Sequence, residues 1–192
     1  MDKIPLSAWE RKIFKKLDSK LEVETKFRKF PLKDEKSPYV PDFWIKGFEY
    51  KDREILVEAH EEVSEENIRK SRKFRHSIFG AAYYLIMIVR DGELRKWNEH
   101  DQAKLGGIFN EVWTVDTVDF LVDGLVKKKK LYDERINALP QTAVCPAPPK
   151  GHGCGKKAVG FKQVEKLFGY RGKRVQSLCR RCRKEHSSDR RK

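Results

Sequence analysis

Ile55-Leu56-Val57-Glu58-Ala59-His60 is an apolar run that ends on an acid and, two residues later, on a base. Ahead of it lies Tyr39-Val40-Pro41-Asp42-Phe43, which carries a second acid directly after a proline. Side chains at i and i+2 of a strand share a face, so Glu58 and His60 point the same way. An acid at the end of one short strand, beside an acid and a base at the end of the next, can hold a divalent cation next to a proton-transfer group. That is equipment for hydrolysing a phosphodiester. A buried acid that closes an apolar strand is also costly without a cation or a partner.

The flanking sequence supplies the elements around these segments. Ser7-Ala8-Trp9-Glu10 has capping-box form and predicts a helix from Ala8 to Ser19, with Trp9, Ile13 and Leu17 on one face. Leu21 to Phe30 alternates as Leu21, Val23, Thr25 and Phe27 and predicts a strand, followed by a charged turn from Pro31 to Pro38. Further strands are expected over Val40 to Ile45 and Glu54 to Ala59, with Gly47 to Arg53 as a hairpin-like connection. Ser64 should cap a helix from Glu65 to Phe79. Ala82 to Arg90 reads as a buried strand, Leu94 to Leu105 as a helix stopped by Gly106-Gly107, Glu111 to Val115 as a strand, and Thr117 to Lys130 as a closing helix. The order α-β-β-β-α-β-α-β-α predicts an α/β domain, a mixed central sheet flanked by helices with the acids on its second and third strands.

The longest apolar stretch, Ala81 to Val89, is far short of the ~18 residues that span a membrane. Arg11, Lys12, Lys15 and Lys16 interrupt the N-terminal segment where a signal sequence would be apolar. A cytoplasmic protein with no membrane partner is expected, and its four cysteines then read as metal ligands rather than disulfides. Charged residues make up 38% of the chain, above the ~25% usual in soluble domains and of the kind enriched in hyperthermophiles.

The net charge of +14 is unevenly spread. Cys145 to Lys192 holds 15 Lys and Arg against 3 Asp and Glu, or +12, whereas Met1 to Val144 holds 28 against 26, or +2. A basic module on a nearly neutral domain suggests a polyanion partner, nucleic acid above all. A solubilising tail is the plainer alternative, but this tail also carries all the cysteines. Pro140, Pro146, Pro148 and Pro149 mark the change and divide the chain into a domain over 1–139 and a module over 140–192.

Cys179-Arg180-Arg181-Cys182 has the spacing that lets two thiolates of one tight turn reach a single tetrahedral zinc. Cys154-Gly155 looks like half of a second such turn, but its partner Cys145 is eight residues away, so the insert should bulge out as a loop, and His152 could substitute for Cys145. Lys156 to Leu178 has room for two or three short strands. The segment resembles a zinc ribbon over about 40 residues, which implies a structural Zn²⁺ on Cys145, Cys154, Cys179 and Cys182. Metal binding would supply the folding free energy that so small a core lacks.

Glu10 on the first helix, then Pro41-Asp42, then Glu58-Ala59-His60, in this order of elements, resembles the PD-(D/E)XK nuclease superfamily of restriction endonucleases and archaeal Holliday-junction resolvases. The likeness covers roughly Ser7 to Val115. It implies a restriction endonuclease-like fold and a metal-dependent DNA endonuclease, with Mg²⁺ (or Mn²⁺) held by Asp42 and Glu58 and the Ala59 carbonyl as a further oxygen ligand. Glu10 stands where many members carry a third acid, and it equally completes the capping box.

His60 replaces the family's lysine. It could act as a base, or as a cation if nearby carboxylates raise its pKa; alternatively Lys70 or Lys73 takes over the lysine's role, or catalysis is lost. Lys70 and Lys73 lie with Arg69, Arg72 and Arg75 on a cationic helix face that would touch DNA phosphates, although the glutamates just upstream suit a solvated face as well. In the basic module, Arg171, Lys173, Arg174, Arg180, Arg181 and Arg183 are the expected phosphate contacts. A homodimer follows by analogy, since many nucleases of this fold pair two sites. Two other functional classes remain: a catalytically inactive DNA-binding or regulatory protein on a nuclease-like scaffold, and an RNA-binding or ribosome-associated zinc-ribbon protein.

Overall fold

The capping box forms as written. In the computed structural model, which describes residues 5–25, 28–50, 53–96, 99–147 and 153–189, Ser7 Oγ accepts from the Glu10 N–H at 3.1 Å while the Glu10 carboxylate accepts from the Ser7 N–H. Helix α1 (Ala8–Asp18) follows and buries Ile13 and Leu17. The predicted first strand shrinks to β1 (Val23–Thr25), and Phe27 lies outside the described residues.

Strand β2 (Phe43–Tyr50) starts later and runs further than its sequence suggests. Asp42 therefore stands at the entrance of the strand, not at its end. The expected connection at Gly47 is instead an irregularity within β2. Its register against β3 (Arg53–His60) shifts between Ile45 and Tyr50, and Gly47 there takes a φ of +85° that suits glycine.

Helix α2 (Glu65–Arg75) is capped by Ser64, whose Oγ accepts from the Asn67 N–H at 3.1 Å. It stops short of the predicted Phe79 because the chain folds back on itself. A Cβ at Gly80 would lie 2.3 Å from the Phe74 carbonyl oxygen, so only glycine fits this close approach. Strand β4 (Tyr83–Val89) is buried at every position, as expected for an apolar run covered on both faces. A 3-10 turn at Glu93–Lys96 and helix α3 (Glu99–Gly106) replace the single predicted helix, and β5 (Glu111–Thr114) and α4 (Val118–Asn137) complete the series. Lys127 to Lys130, expected to end that last helix, lie within it, and Lys128 Nζ sits 4.1 Å from the Tyr50 ring centroid.

The sheet order is β1-β2-β3-β4-β5, with β1, β2 and β3 antiparallel and β3, β4 and β5 parallel. One core gathers Leu56, Leu85, Met87 and Val89 of the sheet with Ile68 and Phe74 of α2 and with Phe30 and Tyr39 of the preceding loop. On the opposite face of the sheet, α1 meets β2 through Phe14 and Phe43, ring centroids 6.1 Å apart. Among the described residues no helix is long and apolar enough to cross a membrane.

The chain divides into two compact units, Met1–Lys130 and Leu131–Lys192. In the second, β6 (Thr142–Val144) pairs antiparallel with β7 (Lys157–Val159), and β8 (Tyr170–Arg171) with β9 (Arg174–Val175). Between the two hairpins stands α5 (Phe161–Leu167), where only strands were expected. Phe161, Val164 and Phe168 recur at helical spacing; the last two are buried, and Phe161 stacks on Tyr170. Helix α6 (Arg180–Asp189) closes the unit.

The loop ahead of β2 is fixed at three places. Phe30 and Tyr39 exchange backbone hydrogen bonds of 2.8 Å in both directions. The Tyr39 ring stacks on Phe74 with centroids 4.2 Å apart. Glu35 receives Arg69 and Lys73 of α2, which hold its carboxyl down at about 2. A depressed carboxylate adds stability above its unfolded pKa and loses it as pH falls through the folded value. Glu35→Gln is therefore expected to be less stable than the wild type at neutral pH. The gap should shrink between pH 4.5 and 2, as read from urea unfolding at a series of pH values. A gap that stays constant across that range would remove this ion pair from the stability of the loop.

Candidate functional site

Antiparallel pairing of β2 with β3 brings the start of one to the end of the other, with Phe43 opposite Val57. Asp42 and Glu58 thereby meet at one end of these paired strands. Asp42 Oδ2 accepts the Ala59 N–H at 2.9 Å, a buried bond that ties the loop to the last turn of the central strand. His60, two residues beyond Glu58, turns to the same face, and its Nε2 lies 3.8 Å from Glu58 Oε2. One ligand atom from each of Asp42, Glu58 and His60 falls within 4.8 Å of the others, so the three could hold a metal ion. Asp42 is 9% exposed and Glu58 4%, which makes this a site where charge has been taken out of water.

Burial governs the imidazole. It lowers the His60 pKa to about 4, against the opposing pull of the Glu10 carboxylate. The cationic His60 considered from the sequence is thus not the form present at neutral pH; the carboxylate effect exists but desolvation exceeds it. Nε2 has almost no accessible surface and no hydrogen-bond partner among the described residues, and Nδ1 lies 3.4 Å from Asn67 Nδ2.

Tyr39 is a site residue that the sequence did not single out, though it stands three positions before Asp42. Its hydroxyl is buried beside Glu58, Asp42 and Ser71. Burial first, and then the Glu58 charge, raise its pKa well above the usual tyrosine value. Asn67 was missed too. Its only signal is its place in the first turn of the helix after His60.

Glu10 keeps its capping role and stands close enough to act on His60, but it is not one of the three that converge. Lys70 Nζ is 3.3 Å from Glu66, and Lys73 pairs with Glu35, so both helix lysines are engaged with acids on or beside α2.

In the second unit the four cysteines do come together. Cys145, Cys154, Cys179 and Cys182 place their sulfurs within 4.8 Å of one another and could hold a metal ion such as zinc. Zn–S bonds of about 2.3 Å in a tetrahedron put sulfurs about 3.8 Å apart. Cys154 Sγ and Cys179 Sγ are 3.7 Å apart, far too long for a disulfide. A backbone hydrogen bond from Cys182 lowers the Cys179 thiol to about 7, while burial pushes Cys182 up to about 12.

The eight-residue insert does not spoil the first pair, because its neck is pinched. The Gly153 N–H donates to the Pro146 carbonyl at 2.6 Å, and Cys145 and Cys154 flank that closure. A Cβ at Gly153 would meet Cys145 Sγ at 2.4 Å, so the pinch requires glycine. His152, the proposed substitute ligand, lies outside the described residues, and Cys145 is itself in the cluster.

The arginines of this unit divide by role. Arg171, Lys173 and Arg174 are exposed on and around the β8–β9 hairpin. Arg180 and Arg183 donate to the carbonyls of Glu165 and Phe168 at the end of α5, and Arg181 pairs with Glu185 at 2.9 Å.

Searches of family models, of curated proteins and of solved structures returned no match to this chain.

The full chain is expected to retain stoichiometric zinc through gel filtration, and Cys179→Ser to lose it. Structural zinc contributes roughly 10–16 kcal/mol to small zinc-dependent folds, so the second unit should lose its amide-proton dispersion with the metal. Gly153→Ala should weaken zinc retention without removing a ligand. Full retention of zinc by Cys179→Ser, measured by atomic absorption, would overturn the four-cysteine assignment.

Proposed function

We propose that this chain is a metal-dependent DNA endonuclease of the PD-(D/E)XK kind with a basic zinc-binding module. The observation that carries this reading is the convergence of Asp42, Glu58 and His60 within 4.8 Å at the carboxyl end of β3. The donor set fits a divalent cation: two buried carboxylates and an imidazole nitrogen that lacks a hydrogen-bond partner among the described residues. Asp42, Glu58 and His60 would hold a Mg²⁺ or Mn²⁺, which would supply acidification of a water and neutralisation of charge on the scissile phosphate.

The protein's own part is positional. Asp42 is held by the Ala59 N–H and Glu58 by the central strand, so both carboxylates are fixed before substrate arrives. His60, neutral at physiological pH, presents Nε2 to the same face as Glu58. Affinity for DNA is assigned to the basic unit, with Arg171, Lys173 and Arg174 as its exposed phosphate contacts. Arg180 and Arg183 spend donors on α5 and shape the unit, and contact phosphate through what remains. Pairing of two chains would give cuts in both strands.

One observation favours a second reading, an inactive nuclease-like scaffold that binds DNA. The third motif position is His60, and the two nearby lysines, Lys70 and Lys73, are committed to Glu66 and Glu35.

The deciding experiment is cleavage of labelled supercoiled plasmid, duplex, flap, four-way junction and single strand, with Mg²⁺, Mn²⁺ or EDTA. Cutting is expected only with metal, and Asp42→Ala and Glu58→Ala should each lower it by roughly a hundred- to a thousandfold or more. Tight binding without cutting, unchanged in both variants, would establish the scaffold reading. Cutting that survives both substitutions would overturn the site.

A further inference from the structure

We propose that His60 is itself a ligand of the cation, through Nε2, and that the site therefore prefers transition-metal ions such as Mn²⁺ to Mg²⁺. This rests on the reading of Asp42 and Glu58 as a cation site and specifies which ion that site takes.

The geometry comes first. Atoms bound to one ion at about 2.1 Å each lie no more than about 4.2 Å apart. His60 Nε2 and Glu58 Oε2 are already 3.8 Å apart, too long for a hydrogen bond and within the span of two ligands of one ion. The ligand atoms of Asp42, Glu58 and His60 all lie within 4.8 Å of one another, a cluster that a shared ion would draw together. A base working on a metal-bound water would instead stand one hydrogen bond further out, level with the water and not with the carboxylate oxygens.

The second observation is the state of Nε2. It is buried and has no hydrogen-bond partner among the described residues, in a side chain that turns to the same face as two carboxylates. A buried ring nitrogen left in that condition costs free energy, and a cation among the same groups satisfies it.

The third is the far side of the ring. A ligating histidine holds its other N–H in a hydrogen bond that fixes the tautomer. Asn67 stands at Nδ1, 3.4 Å away, in the first turn of α2 where Ser64 caps its backbone. An asparagine amide presents either end by a half-turn of its last torsion. With Oδ1 toward the ring, Asn67 accepts the Nδ1 proton and leaves the Nε2 lone pair for the ion. Asn67 is thus a positioning residue for the ligand.

An imidazole in the ligand set changes selectivity. Mg²⁺ is a hard ion that favours carboxylate, carbonyl and water oxygens, while imidazole nitrogen suits transition ions. Lysine at this position could not ligate while protonated, so an all-oxygen site suits Mg²⁺, and this one suits it less well than Mn²⁺.

The test uses the full chain with its cysteine centre loaded with zinc and Mn²⁺ as the probe, since Mn²⁺ does not seek thiolates. Electron spin-echo envelope modulation of bound Mn²⁺ should show coupling to a nitrogen nucleus, and the pattern should change when histidine carries ¹⁵N. His60→Ala should abolish the coupling, whereas His76→Ala should retain it. Titration should give Mn²⁺ at least about tenfold tighter binding than Mg²⁺ in the wild type. Mn²⁺ affinity should fall about 10- to 100-fold in Asn67→Leu, with Mg²⁺ nearly unchanged.

Because the wild-type spectrum alone reports ligation, a misfolded variant does not blunt the test. Mn²⁺ binding that depends on Asp42 but shows no nitrogen coupling would overturn this inference and leave the carboxylate site standing. Absence of any Asp42-dependent Mn²⁺ binding would overturn both.

Discussion

The first unit is organised around one buried hydrogen bond, the 2.9 Å contact from the Ala59 N–H to the Asp42 carboxylate. It joins a loop to the last residues of the central strand at the point where charge is taken out of water. A carboxylate in such a place is tolerated only when its position is over-determined. The loop that delivers Asp42 is accordingly tied down along its length, by the Phe30 and Tyr39 backbone pair, by the Tyr39 ring on Phe74, and by Glu35 on Arg69 and Lys73. Helix α2 receives two of those three ties and also carries Asn67 to the His60 ring. The helix thus acts as a brace that sets the distance between the two motif segments.

The elements written in local code were legible in the sequence. The Ser7 and Glu10 box, the Ser64 cap and the unbroken apolar run of β4 each depend on residues within a turn or on the burial of a single strand, and each formed as read. The convergence of Asp42, Glu58 and His60 was legible because strand alternation and hairpin pairing are short-range rules. What failed to show depends on contacts distant in sequence. Gly47 looked like a turn and is an irregularity in a continuing strand, because register is set by the partner strand. Gly80 ends α2 early through contact with a carbonyl six residues back. Phe161 to Leu167 forms a helix whose apolar stripe was hidden by neighbouring lysines. The protonation of His60 was beyond reach altogether, since burial and a neighbouring acid pull it opposite ways and only coordinates say which is larger.

The cysteine centre illustrates how spacing misleads when it is counted along the chain. Eight residues separate Cys145 from Cys154, but the Gly153 to Pro146 hydrogen bond closes the loop at its base. Measured through that closure, Cys145 and Cys154 are each one residue from the neck. The cue present in the sequence was glycine on both sides of Cys154. Gly153 is required by its approach to the Cys145 sulfur, and Gly155 by a φ of +72°. Each ligand pair is thus shaped by its own local geometry, one by a pinched loop and the other by the start of α6.

Charge separates the two units as clearly as contacts do. The residues around the carboxylate site are acidic: Glu10 is buried beside His60, and Glu61 and Glu62 follow it directly. On the proposed reading, such a site would repel phosphate until a cation occupied it, so metal and polyanion would bind with positive linkage. The +12 carried from Cys145 onward belongs to the second unit, whereas the carboxylates belong to the first. On the proposed reading, attraction to the backbone and chemistry upon it are therefore built from separate groups. The basic unit would raise the local concentration of phosphodiester regardless of metal, and the carboxylates would make cutting conditional on it. Salt should act on the first of these through counterion release and leave the second, a buried coordination site, comparatively untouched.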